Sequence, residues 1–216
     1  MRLLQTLLRI SFDLLYHSFA WTYDLVAALV SLGRWRSWIL SVLPYIEGPR
    51  VLELGHGPGH LQCALYTHDL SAFGLDESRQ MSRQAAHRLR RNRISDVNLA
   101  RGLSQYIPFL SRSFQTVVAT FPSEYIIDPR TLAEVHRVLV TGGRFIVLPA
   151  AWITGNRIHE CYLATLFRIS HRTGDPARTI SDRIKDPFTQ AGFQIKVERV
   201  ASESSTLLLV LAFKSS

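Results

Sequence analysis

The chain has 216 residues, 47% of them hydrophobic and 19% charged, with a formal net charge of +8. That length holds one domain with a full core and excludes two ordinary ones, while the composition excludes a disordered chain. Two cysteines, Cys63 and Cys161, exclude a disulfide framework and lack the paired spacing of a zinc site, so no metal centre is expected.

Both cysteines fall in helical segments and read as reduced, buried thiols of a cytoplasmic protein. Arginine carries nearly all the positive charge, because Lys185, Lys196 and Lys214 are the only lysines. The excess reads in two ways: an arginine-rich composition without a ligand, or a surface for an anionic membrane or a nucleic acid.

In chain order, residues 1–46 read as an apolar helical cap on a main domain at 47–216. Arg2, Thr6, Arg9, Asp13, His17 and Asp24 stand three, four or seven apart and form one narrow polar stripe. So wide an apolar face must be buried against the domain, a partner subunit or a lipid interface. No window of about 18 uncharged apolar residues predicts a spanning helix, and no cleavable secretory signal follows Met1.

Pro44–Pro49 is turn-rich. Val51–Leu54 then reads as a buried strand ending on glycines, with His60–Thr67 as the next helix. Ala72–Asp76 is a second strand ending in an acid, and Ser78 caps a helix to Arg91. A strand is predicted at Thr116–Phe121, a helix at Pro129–Val140, a turn at Gly142-Gly143 and a strand at Arg144–Leu148. Ala151–Pro187 is the least regular stretch. Gln194–Val200 and Thr206–Phe213 form a strand pair with no helix between them, hence an antiparallel hairpin at one sheet edge. The alternation predicts an α/β fold: a mostly parallel sheet with helices on both faces.

The segment Glu53-Leu54-Gly55-His56-Gly57-Pro58-Gly59 is a strand end feeding a helix through three glycines. Such a loop lets backbone approach a ligand and frees helix-start amides to donate to it. Nicotinamide and flavin domains use similar loops. Asp76, at the end of the second strand, adds a carboxylate placed to accept both hydroxyls of a ribose.

Four blocks in order resemble the class I S-adenosylmethionine-dependent methyltransferases. They are Val51–Leu61, Gly74–Ser78, Ile107-Pro108-Phe109 with Ser113–Val118, and Leu132–Phe145 with its Glu134, Arg137 and Gly142-Gly143. The resemblance implies a Rossmann-like seven-stranded sheet ending in a reversed hairpin, extra N-terminal helices, and S-adenosylmethionine as cofactor. It places Gly55, His56, Gly57 and Gly59 against the cofactor, Glu53 near its amino-acid end, and Asp76 with Glu77 on the ribose. Departures are His56 where a small residue is usual, Gln115 for Asp, Thr141 for Pro, and Gly102-Leu103-Ser104 for Gly-Asp-Ala. The adenine contact then falls to the backbone of Leu103 or to the side chains of Ser104 and Gln105.

By the same resemblance the acceptor pocket lies beyond the fourth strand, at Phe121 and Pro122, with Tyr23 closing over the cofactor. Glu124 and Tyr125 are the candidates to hold or deprotonate an acceptor. The alternative there is a plain helix start, with Ser123 as cap and Glu124 in the first turn. His17 and His159 are further candidates, and His136 reads as structural.

Ala20–Val26 and Ser31–Trp38 are similar to the entry region of methyltransferases acting on quinone precursors and phospholipid head groups. A small, hydrophobic or lipid-like acceptor is therefore expected, with peripheral contact at the inner face of a membrane through the first helix and the Arg-rich surface. The Arg-rich helix with Arg79, Arg83, Arg88, Arg90, Arg91 and Arg93 leaves an RNA methyltransferase as an alternative, but no aromatic interleaving supports nucleic acid. A methyltransferase-like partner protein without activity is the other alternative.

Overall fold

In the computed structural model, residues 33–153, 184–202 and 205–215 are described. The strands are β1 (Arg50–Leu54), β2 (Ser71–Asp76), β3 (Asn98–Arg101), β4 (Phe114–Thr120), β5 (Leu139–Ile153), β6 (Phe193–Ser202) and β7 (Ser205–Lys214). They form one sheet in the order β3-β2-β1-β4-β5-β7-β6. The first five are parallel, and β7 runs antiparallel to both β5 and β6. The chain steps outward from β1 to β3 and then returns to β4. The crevice beyond the carboxyl ends of β1 and β4 is thus a topological switch point, where open α/β sheets bind ligands.

Because successive strand side chains point to opposite faces, the apolar strands feed two separate cores. Leu52, Val117 and Val147 face α4 (Pro129–Val138) and Phe188 of the helical residues 184–190. Val51, Val118, Ile146 and Leu148 face Trp38 and Ile39 of α1 (Trp35–Leu40), and Leu61 and Leu65 of α2 (His60–Thr67). Each such aliphatic side chain contributes about 1.5–3 kcal/mol by leaving water. The remaining helix, α3 (Arg79–Arg91), buries Met81, Ala85 and Leu89. Ser78 caps it as expected, accepting from Met81 N at 3.3 Å.

The expected seven-stranded sheet, its reversed C-terminal hairpin and its helices on both faces are all present. Several local readings need correction. β3 has no counterpart in the predicted elements, since all four of its residues are half-buried or exposed and only Leu99 and Ala100 are apolar. The predicted turn at Gly142-Gly143 lies inside β5, as an irregularity in its ladder with β4. Phe114 pairs with Leu139 but Thr116 pairs with Arg144, and Gly142 takes φ +76° to absorb the extra residues. The helix predicted to Val140 therefore ends at Val138.

Ala151–Ile153, read as irregular, continue β5 and pair with β7. Ser123 does not cap a helix: its side chain makes no cap bond, and Glu124–Ile127 is a single 3-10 turn. Cys63 is half-buried rather than buried. Of the N-terminal cap only residues 33–46 are described, and their Trp38, Ile39 and Val42 belong to the core of the main domain. Tyr23, His17, His159 and Cys161 lie outside the described residues.

Candidate active site

The loop between β1 and α2 is shaped by positive backbone dihedrals that only glycine adopts cheaply. Gly55 sits at φ +67° and Gly59 at φ +83°. A side chain on Gly55 would meet the Tyr125 hydroxyl at 2.7 Å, and one on Gly59 would meet Ala85 Cβ at 2.8 Å. Gly55 is thus the point of close approach above the loop, and Gly59 lets the start of α2 pack on α3.

Asp76 is 7% exposed and ties the loop to the next helix. One carboxylate oxygen accepts from Gly57 N at 2.9 Å and the other from Ser78 N at 2.8 Å. A carboxylate has about four acceptor positions, so two remain for a diol.

Clefts open on both flanks of Gly55, which lines each of them. The larger, about 580 Å³ with its open mouth, is lined by Asp76, Glu77, Leu103, Ser104, Gln105 and Tyr125 among others. The smaller, about 280 Å³, is lined by Trp35, Glu53, His56, Gly57, His60 and Thr120 among others. The structure thus brings together most of the residues expected to hold a cofactor, divided between two compartments.

Within the larger cleft the Ser104 hydroxyl stands 3.2 Å from Thr131 Oγ1, and Gln105 Nε2 donates to Asp128 Oδ2 at 3.1 Å. Both side chains are engaged at the start of α4, and the Leu103 carbonyl accepts from Tyr106 N at 3.0 Å. The Leu103 side chain is itself 47% exposed.

The smaller cleft rests on a buried polar cluster. Glu53 is 2% exposed and accepts from Gln62 Nε2 at 2.8 Å. Burial pushes its carboxyl up to about 8; the charge of Asp76 adds to the rise and the Gln62 hydrogen bond opposes it. His56 is equally buried, and Gly74 makes room for it: a side chain there would meet the imidazole Cδ2 at 2.9 Å.

His56 Nδ1 lies 2.8 Å from Gly57 O, and since a carbonyl only accepts, Nδ1 carries the proton. Burial lowers the imidazole pKa, with the Asp76 charge acting the other way. The histidine is therefore a neutral brace inside the loop.

At the end of β4, Phe121 takes φ +49°, a conformation that strains a bulky residue, while its N–H donates to Leu148 O at 2.7 Å. The twist stacks its ring on Trp35, with centroids 4.3 Å apart and planes 26° apart; Trp38 follows at 6.3 Å. Tyr125 donates to Leu54 O at 3.3 Å, which sets its hydroxyl over Gly55 on the wall of the larger cleft. Phe121, Pro122 and Glu124 line neither cleft, and Glu124 is exposed. His136 packs edge-on against Phe193 at 5.3 Å, in the structural position expected of it.

Several contributors were not among the expected site residues. Arg137 donates to Glu134 through Nε and Nη2, to Phe109 O through Nη1 and to Ile107 O through Nη2. Glu134 in turn accepts from Ile107 N. Two blocks of the resemblance are thus one hydrogen-bonded brace, which fixes the segment following the Leu103–Gln105 wall. Gln62, one turn into α2, and Trp35 were also missed; only their side-chain chemistry next to the loop and to an aromatic strand end could have flagged them.

Residues 51–143 match the family of methyltransferase domains. The chain is 29% identical over 145 residues to a demethylmenaquinone methyltransferase of Symbiobacterium thermophilum, covering 63% of this chain and 58% of that protein. It is 28% identical over 142 residues to a ubiquinone/menaquinone biosynthesis C-methyltransferase of Geotalea uraniireducens, covering 62% and 60%. The match thus spans about three-fifths of the length of these curated relatives.

Among solved structures, a putative S-adenosyl-L-methionine-dependent methyltransferase of Methanococcus maripaludis superposes with a TM-score of 0.65 at 16% identity, over 91% of this chain and 92% of that one. A phosphoethanolamine N-methyltransferase of Haemonchus contortus, crystallised with S-adenosyl-L-methionine, gives 0.60 at 15% identity, over 94% and 60%. At such identities these neighbours establish the fold.

Proposed function

We propose that this chain, a class I S-adenosylmethionine-dependent methyltransferase by its sheet and by the domain at residues 51–143, transfers a methyl group to a small hydrophobic or lipid-like acceptor. The observation that carries the reading is Gly55, set between two clefts with Asp76 on one side and buried Glu53 on the other. A nucleoside joined to an amino acid needs that pair of compartments and a bare backbone between them.

The donor set fits the group. Asp76 and Glu77 would hold the ribose, with the Leu103 main chain and the Ser104 wall at the adenine. Glu53, His56 and Gly57 would surround the amino-acid end. Glu53 is the informative member, because a carboxyl held neutral by burial regains its charge beside a cation. The cofactor supplies an already activated methyl on a sulfonium, so the protein's work is alignment and the exclusion of water. Trp35, with Phe121 stacked on it, gives the smaller cleft an aromatic wall suited to a flat apolar ring. Tyr125 is the candidate for holding the acceptor's proton, since its hydroxyl stands over Gly55, the residue that lines both clefts.

A quinone precursor is the acceptor class this wall favours, and the curated relatives are named for methylation in quinone biosynthesis. A phospholipid head group is the second member of that class. No helix among the described residues is long and apolar enough to cross a membrane. The membrane contact in this reading is a peripheral one at the cytoplasmic face, through the first helix and the Arg-rich surface.

The test is incubation with methyl-labelled S-adenosylmethionine and, separately, a prenylated hydroquinone, phosphoethanolamine and RNA. Label in the hydroquinone, abolished by Asp76→Ala, is the expected result. Label in RNA alone would overturn the acceptor assignment. Failure to bind either S-adenosylmethionine or S-adenosylhomocysteine would overturn the enzyme reading itself.

A further inference from the structure

The loop that joins β3 to β4, residues 102–113, lies against the sheet with its side chains sorted. Ile107 is 4% exposed, and Phe109 packs edge-on against Phe73 and Phe114, at 5.6 and 5.2 Å. The alternate positions Tyr106, Pro108 and Leu110 face outward. Tyr106 is 67% exposed and Leu110 83%; with Leu103 at 47% they are the exposed large hydrophobic side chains of the described residues. A single exposed leucine needs no explanation, but three large apolar side chains gathered on one loop mark an interaction surface.

This face can leave water cheaply. Tyr106 N donates to Leu103 O at 3.0 Å, Ile107 N to Glu134 at 2.8 Å and Phe109 N to Ile107 O at 2.8 Å, while Pro108 has no N–H. The carbonyls of Ile107 and Phe109 accept from Arg137, and that of Leu110 from Ser113 Oγ at 2.8 Å. An apolar medium over the stripe therefore orphans no backbone donor from Tyr106 to Phe109, the loss that makes loops costly to bury. The same bonds hold the stripe in one shape, so little ordering is left for docking to impose.

The surroundings are positive. From Val97 to Ser123 the chain contains no carboxylate side chain. Arg101 and Arg112 bracket the stripe along the chain; both are exposed, and among the described residues no ion pair holds either. The carboxylates that bond to the loop are matched, Asp128 with Arg130 at 3.3 Å and Glu134 with Arg137 at 2.6 Å. Lys214 adds a further cation within reach of Arg112: burial, and then the Arg112 charge, hold its ammonium below the ordinary value.

Leucine and tyrosine with a basic rim suit a bilayer surface. Aliphatic side chains enter the acyl boundary, a tyrosine stands at head-group level, and arginines meet anionic phosphates. A second copy seated on this face would bring its own Arg101 and Arg112 to the contact, like charge against like. RNA would need stacking platforms, and the stripe offers one aromatic ring among aliphatic side chains.

We propose that the Leu103–Leu110 face docks on an anionic lipid bilayer, with Tyr106 and Leu110 entering the head-group layer and Arg101 and Arg112 on its phosphates. Leu103 belongs both to this face and to the lining of the larger cleft, so docking holds the site at the bilayer surface. The purpose of the contact rests on the proposed function, because an acceptor carried in the bilayer is then within reach. The contact itself is distinct from the first helix and from the arginines of α3.

The test is co-sedimentation of the full chain, without cofactor or acceptor, with vesicles of phosphatidylglycerol mixed into phosphatidylcholine and with phosphatidylcholine alone. Binding is expected to the mixed vesicles and should fall with salt. Leu110→Ser should weaken it about ten-fold, the lower end of what burying one leucine yields. Leu110→Trp should keep or tighten it, a result that a misfolded variant does not give. Arg112→Gln should weaken it and flatten its salt dependence. Both positions are exposed, and urea midpoints equal to wild type check the fold.

Absence of binding to the anionic vesicles would overturn the proposal. Equal binding by wild type and Leu110→Ser would also overturn it, leaving the membrane contact to the first helix or α3. Self-association lost in Leu110→Ser would assign the face to a second copy, and RNA retention lost in that variant to a nucleic acid; either result overturns the bilayer. Binding through Leu110 by a protein that takes up no S-adenosylhomocysteine would sink the enzyme reading and leave the docking face standing.

Discussion

Glu53→Gln tests the electrostatic core of the site. Burial lifts the Glu53 carboxyl from an ordinary value of 4.5 to about 8. The unfolded chain therefore releases this proton as pH passes about 4.5, while the folded chain keeps it until about 8. The raised value makes a contribution to stability that is complete below about 4.5 and is lost as pH rises through the folded value. At about 1.4 kcal/mol per pH unit, the whole window is worth about 5 kcal/mol. Glutamine has the same shape, keeps an oxygen to accept from Gln62, and carries no titrating proton.

Urea unfolding of the ligand-free proteins, from about pH 5 to about pH 8, should therefore show the variant gaining on wild type steadily with pH. Other titrating groups cancel in that difference. The ligand-bound comparison should run the opposite way. A cationic cofactor favours the carboxylate, so wild type should release a proton on binding S-adenosylmethionine near neutral pH, and Glu53→Gln should bind it more weakly without that release. A stability difference that stays level or shrinks between about pH 5 and about pH 8 would refute the reasoning.

Other outcomes follow from individual contacts. Gly59→Ala combines a left-handed φ of +83° with a Cβ–Cβ approach of 2.8 Å to Ala85. Together these should cost about 2–5 kcal/mol in urea unfolding, and a change below about 1 kcal/mol would mean that the start of α2 yields readily. Arg137→Lys keeps the charge but loses the fork to Glu134, Ile107 and Phe109. It should cost about 2 kcal/mol and speed amide exchange between Ile107 and Leu110; unchanged exchange there would deny the brace. Tyr125→Phe should leave S-adenosylhomocysteine affinity within about three-fold and lower turnover by about a hundred-fold, if the hydroxyl handles the acceptor's proton. Equal turnover would assign Tyr125 to packing over Gly55 alone.

What was legible in the sequence is what short-range pattern encodes. Alternating apolar runs and glycine punctuation identify β1, β2 and the loop, because a buried strand and a left-handed turn each demand their residues locally. The Asp76 position was legible for the same reason: it ends a strand. β3 was invisible because Asn98–Arg101 are only partly covered, so nothing forces them to be apolar. Gly142-Gly143 misled because a bulge and a turn both call for a positive φ, and only the pairing of Thr116 with Arg144 separates them.

The site shows the same division at longer range. Ile107 and Arg137 stand in separate recognisable blocks, yet the hydrogen bonds that join them give the blocks a shared purpose, and no spacing rule connects positions so far apart. Trp35 on Phe121 and Arg88 on Pro58 are likewise contacts between elements brought together by the sheet. Glu53 is the sharpest case. Its place beside the cofactor loop could be read from its neighbours, but its protonation depends on how completely α2 and Gln62 close over it. A carboxylate and a carboxylic acid are written with the same letter. Whether this one enters the reaction cycle charged or neutral is decided by packing, and the pH dependence of Glu53→Gln against wild type measures that packing directly.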